Sequence, residues 1–314
     1  MVEESCIIRG SDDIELHCYK WMPRSQKNIK GVFHLVHGSL EHAYRYIHVA
    51  EKLVKDGFVV YAADHRGHGK TVKDGSPFFY FSDEKDGWKL AVKDIDIINN
   101  KVKEEFPDLP IYLFGHSMGS FIVRDYMSVN GDKIDGVILS GSGIGIPALQ
   151  TAVNLYAKLL ILFKGQKHKS PLLHHLVYGT LDKMVKGHEV KGDFISRDRK
   201  EVEKYQKDPF CNQTCTTQYA HEMLKSITRI NQKNEYKKCK LKNPLYIMSG
   251  GEDPVGGKGE GVRIMGNHYK NAGVEDVTIK VYPDARHELV NEFNRDEVIE
   301  DMISWLNMNL TVRL

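Results

Sequence analysis

One serine in this chain stands where its neighbours would make it a nucleophile. Ser117 is the middle residue of GHSMG, residues 115–119, which fits the pattern G-x-S-x-G. An apolar run, 111–114, precedes the pattern and a helical run, 120–127, follows it. A serine at such a strand-to-helix turn predicts a nucleophile elbow, because the strained turn lifts the hydroxyl and leaves room only for glycine two residues to either side. A Gly/Ser loop that caps a helix is the alternative interpretation.

A serine nucleophile needs a base, and that base needs an acid to orient it. In folds with a nucleophile elbow, the serine comes first in the chain, an Asp or Glu second and the His third, each in the loop after its own strand. Asp253 and His287 both follow apolar, strand-like runs in that order, so we predict Asp253 as the acid and His287 as the base. As alternative interpretations, Asp253 alone would also fit an ordinary turn, and His287 alone would also fit a surface position at the start of a helix. Glu252 and Asp284 are the rival acids.

The oxyanion of an acyl-transfer reaction needs two N–H donors held in place. The first is expected to be the backbone N–H of Met118, directly after the nucleophile. The second should come from the loop that follows the apolar run 31–36, where Gly38 permits a tight turn. Ser39 is the preferred donor in this loop, and Leu40 is the alternative.

Several histidines and cysteines raise the question of a metal. His34, His37 and His42 lie near one strand, but neighbouring strand residues point to opposite faces and no carboxylate–histidine cluster completes a site. Cys211 and Cys215 are four residues apart, without a second pair at zinc-site spacing. We therefore expect no metal and no organic cofactor.

Composition narrows the class of protein. The 314 residues are 41% hydrophobic and 27% charged with a net charge of +2, which argues against nucleic-acid binding. Five cysteines, an odd and scattered set, do not resemble a disulfide framework. The acidic N-terminus lacks the features of a signal peptide, and no apolar stretch approaches the ~20 residues that span a bilayer. We expect a cytoplasmic protein, whose oligomeric state the sequence leaves open.

Strand-like and helix-like runs alternate along most of the chain. Continuous apolar strands at 31–36, 58–63 and 136–140, with helices between them, predict a mostly parallel, doubly wound sheet covered on both faces. The alternation stops after residue 145 and resumes at the strand 245–249. The expected organisation is a core of residues 1–145 and 218–314, with a helical cap inserted at residues 146–217 over the sheet edge where sites form.

The predicted cap contains an apolar run, residues 155–163. A helix buried on the core is the favoured interpretation, and a wall for an acyl chain or a membrane-contacting patch is the alternative. Residues 151–210 hold 12 Lys and Arg against 7 Asp and Glu, which would suit a lipid surface but also an ordinary solvated face. The candidate substrate contacts are Leu40, His116, Leu159 and Phe163.

Six segments together resemble one known family. They are HGSLEH (37–42), DHRGHGKT (64–71), GHSMG (115–119), ISRDRKEVEKYQKDP (195–209), GGEDPVG (250–256) and ARHELVNE (286–293). The set is similar to the monoacylglycerol lipase and lysophospholipase group of the α/β-hydrolases, a group also filed with serine aminopeptidases. The resemblance runs from about residue 5 to about residue 308, and the first half of the cap matches the family poorly.

The resemblance implies an α/β-hydrolase fold with a helical cap and a serine carboxylester hydrolase acting on lipid esters. It also implies Ser117 as nucleophile, Asp253 as acid, His287 as base, and oxyanion donors at Ser39 and Met118. Position 39 is usually small or apolar in the family, so the hydroxyl of Ser39 is a mild departure. The expected partner is a small-molecule or lipid ester, and peripheral membrane contact through the cap stays the alternative to a helix buried on the core. An amide or peptide hydrolase, an acyltransferase and a non-catalytic ligand-binding protein remain the alternatives.

Overall fold

One eight-stranded sheet runs through residues 1–311, which are the residues that the computed structural model describes. Its strands are β1 (Val2–Arg9), β2 (Glu15–Met22), β3 (Gly31–Val36), β4 (Phe58–Ala63), β5 (Ile111–His116), β6 (Gly136–Ser140), β7 (Leu245–Gly250) and β8 (Val277–Tyr282). The strand order is β1-β2-β4-β3-β5-β6-β7-β8. Strands β1 and β2 form an antiparallel hairpin, and β2 also pairs antiparallel with β4. All other neighbouring strands are parallel.

Helices cover both faces of the sheet. In chain order they are α1 (Ile47–Lys55), α2 (Gly87–Glu105), α3 (Met118–Asn130), α4 (Pro147–Lys164), α5 (Pro171–His174), α6 (Thr180–Asp182), α7 (Arg199–Lys207), α8 (Thr217–Ile230), α9 (Lys233–Tyr236), α10 (Glu260–Asn271) and α11 (Arg295–Thr311). One hydrophobic core lies under α2, α3, α8 and α10, and a second lies under α1 and α11. The central strands are buried on both faces, which is why they appear in the sequence as unbroken apolar runs. The predicted α/β fold is confirmed.

The insertion between β6 and β7 is helical, as expected, and one π-helical turn, His175–Gly179, interrupts it. Helix α4 begins at Pro147, because proline suits the first turn of a helix. Helix α8 begins at Thr217 and packs against α4 as well as α2 and α3. The division into a core and a cap at residue 217 therefore stays a prediction. Within residues 1–311, none of the helices combines the length and apolar character that crossing a bilayer requires.

Candidate active site

The turn between β5 and α3 holds Ser117 in a strained backbone conformation. Its φ of 49° and ψ of −122° lie outside the regions that non-glycine residues usually adopt. The two flanking glycines make the turn sterically feasible. A Cβ on Gly119 would lie 2.2 Å from the carbonyl oxygen of Val36, and one on Gly115 would lie 2.7 Å from the Cα of Ser120. The sequence pattern thus forms the sharp strand-to-helix turn that was predicted from it.

The structure brings the three predicted triad residues together from three separate strand ends. The Oγ of Ser117 lies 2.8 Å from the Nε2 of His287. The Nδ1 of His287 lies 3.0 Å from Oδ1 of Asp253, a carboxylate oxygen that can only accept, so Nδ1 carries the proton and Nε2 accepts from the serine. Of the rival acids, Glu252 pairs with Lys258 and Asp284 is exposed.

The surroundings of His287 set its proton affinity. Burial acts to lower the pKa of the imidazole, but the adjacent Asp253 carboxylate outweighs it, so that the pKa is raised above its ordinary value. The backbone N–H of His287 donates to the carbonyl of Phe194, and that of Glu288 donates to Ile195. A segment of the insertion therefore holds the loop that carries the predicted base. Burial lowers the pKa of His116, whose ring centroid lies 4.8 Å from that of His287, to about 3.

The predicted oxyanion donors belong to two separate elements. Met118 is the first residue of α3, where backbone N–H groups have no partner within the helix and the helix dipole is positive. Ser39 lies in the loop after β3, next to Leu40, which adopts a positive φ of 58°. The N–H of Gly38 donates to Glu41 over 2.6 Å, which fixes the start of this loop.

A buried ion-pair network supports the same loop. Arg45 donates to Glu41 and, through both terminal nitrogens, to Glu288 at 2.9 and 2.7 Å. Burial acts to raise the pKa of Glu288, but Arg45 lowers it to about 2. Burial raises the pKa of Glu41. The ring of Tyr205 lies 5.0 Å below the Arg45 guanidinium.

A cavity of about 570 Å³ opens above Ser117, between the sheet edge and the insertion. Ser39, Glu41, Tyr205 and Glu288 are polar residues in its wall. Much of the remaining wall is apolar, including Phe121, Leu149, Val153, Leu176, Met223 and Ile227. The volume lies within the range of small-molecule sites in proteins.

Two of the four candidate substrate contacts face this cavity. Leu40 and His116 are among its lining residues, whereas Leu159 and Phe163 are not and are 46% and 75% exposed. The prediction that Leu159 and Phe163 contact the substrate is therefore wrong. They do not line the cavity because α4 turns Val153 and Ala157 toward the core and leaves Leu159 and Phe163 on another face.

The expectation that residues 155–163 are buried is wrong for the outer face of α4. Leu155, Leu159, Leu162 and Phe163 are 60%, 46%, 74% and 75% exposed. Their spacing of i, i+4, i+7 and i+8 places them on one side of the helix. The run is apolar around most of the helix because one side packs inward while this side, the α4 outer face, meets solvent.

Histidines in β3 and in the loop that follows it are held by hydrogen bonds that the sequence did not reveal. His34 pairs with Asn99, and His37 pairs with the carbonyl of Gly38. His42 lies 2.9 Å from Asp208. With Cys211 these two residues form a cluster whose donor atoms all lie within 4.8 Å of one another. The residues come from segments that are 166 positions apart, so spacing along the chain gave no signal.

Sequence reasoning also missed two tyrosines beside the predicted oxyanion loop. The hydroxyls of Tyr178 and Tyr219 each lie 2.7 Å from the Oγ of Ser39. Tyr178 belongs to the π-helical turn and Tyr219 to α8. The unusual hydroxyl at position 39 was the one signal in the sequence that pointed to a local polar partner.

Comparisons with known proteins relate the chain to a family in sequence and in fold. The sequence profile of the serine aminopeptidase S33 family matches residues 27–294. The chain is 29% identical to a monoacylglycerol lipase from Mycolicibacterium smegmatis over 92% of each chain. A solved carboxyl esterase from Bacillus coagulans in complex with glycerol is 30% identical, with a TM-score of 0.90 over 99% of both chains. A monoacylglycerol lipase from Paleococcus ferrophilus is 25% identical, with a TM-score of 0.71 over 94% of this chain and 99% of its own.

Proposed function

The chain belongs to the serine aminopeptidase S33 family of hydrolases, and from this premise we propose that it hydrolyses carboxylic esters of single-chain lipids. The observation that carries the proposal is the hydrogen-bonded series Ser117–His287–Asp253 at the base of a largely apolar cavity. Such a series activates a hydroxyl for attack on a carbonyl, and an apolar cavity suits an acyl chain.

In the proposed mechanism, His287 takes the proton of Ser117 as its oxygen attacks the ester carbonyl. The N–H groups of Ser39 and Met118 hold the oxyanion of the tetrahedral intermediate. Asp253 keeps the proton on Nδ1 of His287 and stabilises the imidazolium that forms. The alcohol leaves with the proton from Nε2, and water then releases the acid from Ser117 by the same steps.

The polar part of the cavity favours an uncharged alcohol as the leaving group. Glu41 and Glu288 line the cavity next in sequence to the predicted oxyanion loop and base, whereas the other charged residues of the wall, Asp182, Lys183 and Lys191, belong to the insertion. Arg45 pairs with both glutamates, which leaves one negative charge, and does not itself line the cavity. This balance disfavours an anionic phosphate near the leaving-group oxygen. We therefore propose that monoacylglycerols are better substrates than lysophospholipids. Equal or faster turnover of lysophosphatidic acid than of a monoacylglycerol with the same acyl chain would contradict this preference.

A peptidase acting on free amino termini is the second candidate. The same negative balance at Glu41 and Glu288 would attract an ammonium group. The ester is favoured because much of the rest of the wall offers apolar contacts that suit an acyl chain. Proline amides and monoacylglycerols assayed side by side separate the two candidates, and added alcohols report acyl transfer as mixed-ester products.

The decisive experiment compares the wild-type protein with Ser117→Ala. The substrates are 4-nitrophenyl esters of short to long acyl chains, monoacylglycerols, lysophospholipids and proline amides. Ester turnover that disappears in Ser117→Ala, without a change in thermal unfolding, is the expected result. Retained ester hydrolysis in Ser117→Ala would refute the role of Ser117, and cleavage of the amides alone would favour the peptidase.

We propose further that the α4 outer face contacts a lipid surface from which the substrate enters. Four large apolar side chains on one side of a surface helix are unusual for a face that meets only water. The exposed Lys158 and Lys164 on α4 add positive charge that anionic lipids would attract. Ile146, directly before α4, and Leu149, in its first turn, line the cavity, so the helix joins the exposed patch to the site.

Sedimentation with vesicles of phosphatidylcholine and phosphatidylglycerol tests this contact. The variant Leu162→Asp/Phe163→Asp should bind vesicles much more weakly while hydrolysing a dispersed short-chain ester normally. The matched control is Ile7→Asp/Val129→Asp, which changes two exposed apolar residues outside the insertion. Vesicle binding that is the same in both double variants would contradict the proposal.

A further inference from the structure

Three hydroxyls and one imidazole form a hydrogen-bonded series beside the predicted oxyanion hole. The Oγ of Ser39 lies 2.7 Å from the hydroxyl of Tyr178 and 2.7 Å from that of Tyr219. The Tyr219 hydroxyl lies 3.1 Å from Nε2 of His68. The four side chains come from the loop after β3, the π-helical turn, α8 and the loop after β4.

The direction of each hydrogen bond follows from His68. Its Nδ1 lies 2.9 Å from the carbonyl oxygen of Arg66, which can only accept, so Nδ1 carries a proton. Burial lowers the pKa of His68 to about 4, which leaves the ring neutral and Nε2 an acceptor. Tyr219 therefore donates to His68. Its oxygen accepts from Ser39, whose own oxygen accepts from Tyr178.

Tyr219 also contacts the other side of the oxyanion hole. Its hydroxyl oxygen lies 2.8 Å from Sδ of Met118, a weak acceptor that competes poorly with imidazole for the proton. The side chains of both residues whose N–H groups would hold the oxyanion thus meet one hydroxyl. Tyr219 is fully buried and its ring stacks on Phe81, so the hydroxyl has little freedom to move.

We propose that Tyr219 is a positioning residue that fixes the two oxyanion donors through the side chains of Ser39 and Met118. The inference rests on the proposed function. Oxyanion stabilisation depends on donors placed before the reaction, since a donor that must move into place loses much of its effect. Without the hydroxyl, Ser39 loses its acceptor and His68 loses its donor, and the loop after β3 is free to relax away from Met118.

Tyr219→Phe is expected to lower kcat by about 10- to 100-fold, less than the ~10²–10³-fold typical of deleting an oxyanion donor, because the N–H groups remain. The KM for a 4-nitrophenyl ester should stay within about two-fold, since the ground-state carbonyl needs these donors less. Affinity for a trifluoromethyl ketone with the same acyl chain, which forms an oxyanion on Ser117, should fall by the same factor as kcat/KM. Affinity for the corresponding secondary alcohol should not change.

Ser39→Ala provides a second, independent variant, and it carries the test if Tyr219→Phe does not fold. It should lower kcat, and the double variant should lose less than the product of the two single losses, because both changes break one series. Tyr126→Phe is the matched control, since it also deletes a hydroxyl from a buried tyrosine, one that bonds to Asp96. Its kcat should stay at the wild-type value.

Two results would overturn the inference. One is a folded Tyr219→Phe with wild-type kcat and wild-type affinity for the trifluoromethyl ketone. The other is an equal loss of affinity for the ketone and the alcohol, which would assign Tyr219 to the shape of the cavity. Wild-type turnover and its loss in Ser117→Ala test the proposed function separately, so the two ideas fail on different measurements.

Discussion

Substitution of Gly119 by alanine should separate the two halves of the oxyanion hole. The added Cβ would lie 2.2 Å from the carbonyl oxygen of Val36 and 2.4 Å from that of His37, whereas ordinary contacts begin at 3.4 Å. Both obstacles are backbone atoms of β3 and its following loop, so no side chain can turn away. The elbow and the loop that carries Ser39 must therefore move apart by roughly 1 Å, a misplacement that typically costs about 10²-fold in rate.

We expect kcat for a 4-nitrophenyl ester to fall about 100-fold, which corresponds to about 2.7 kcal/mol of transition-state stabilisation. The free energy of unfolding should fall by about 1–3 kcal/mol, as for other overpacked positions, so the variant should still fold. Steady-state kinetics and thermal unfolding measure the two effects, and the rate of labelling by a fluorophosphonate gives an independent measure of the site.

Gly266→Ala is the matched control. Its Cβ would meet only the end of the Ile279 side chain at its closest contact, 2.5 Å, and a flexible chain end can move aside. Gly266 lies inside α10, where alanine is the better helix former by about 1 kcal/mol. Wild-type kcat is therefore expected for Gly266→Ala. A folded Gly119→Ala with wild-type kcat would refute the link between this backbone contact and the oxyanion hole.

Three further predictions concern the charged groups of the site. Asp253→Asn should lower kcat by about 10⁴-fold, because an amide permits the wrong tautomer of His287; a loss under ten-fold in steady-state kinetics would argue against Asp253 as the orienting acid. Because the Asp253 carboxylate raises the pKa of His287 and the base must be neutral, kcat/KM should rise with pH through a midpoint above the ordinary 6.5; a midpoint at or below 6.5 would contradict this. Arg45→Met leaves Glu41 and Glu288 without their cation and should lower the free energy of unfolding at pH 7 by about 3–5 kcal/mol, which an unchanged Tm would exclude.

Local sequence patterns predict much of the fold. The strands β3, β4 and β6 begin and end where their apolar runs predicted, because a strand buried on both faces must be apolar throughout. Helix α4 was the exception, since its apolar run has two sides and the sequence does not say which side packs inward. The exposure of Leu162 and Phe163 follows from the orientation of the helix on the core, which depends on every neighbouring element.

The sequence by itself determined the elbow around Ser117, the order of Asp253 and His287 behind it, and the parallel sheet that supports them. These features obey short-range steric rules and the periodicity of single elements, which a chain displays directly. Only the tertiary structure decided that Arg45 bridges Glu41 and Glu288, and that Tyr219 meets both Ser39 and Met118. Apart from the local pair Arg45–Glu41, those contacts join residues 101 to 243 positions apart, and their geometry depends on how whole helices pack rather than on any local pattern.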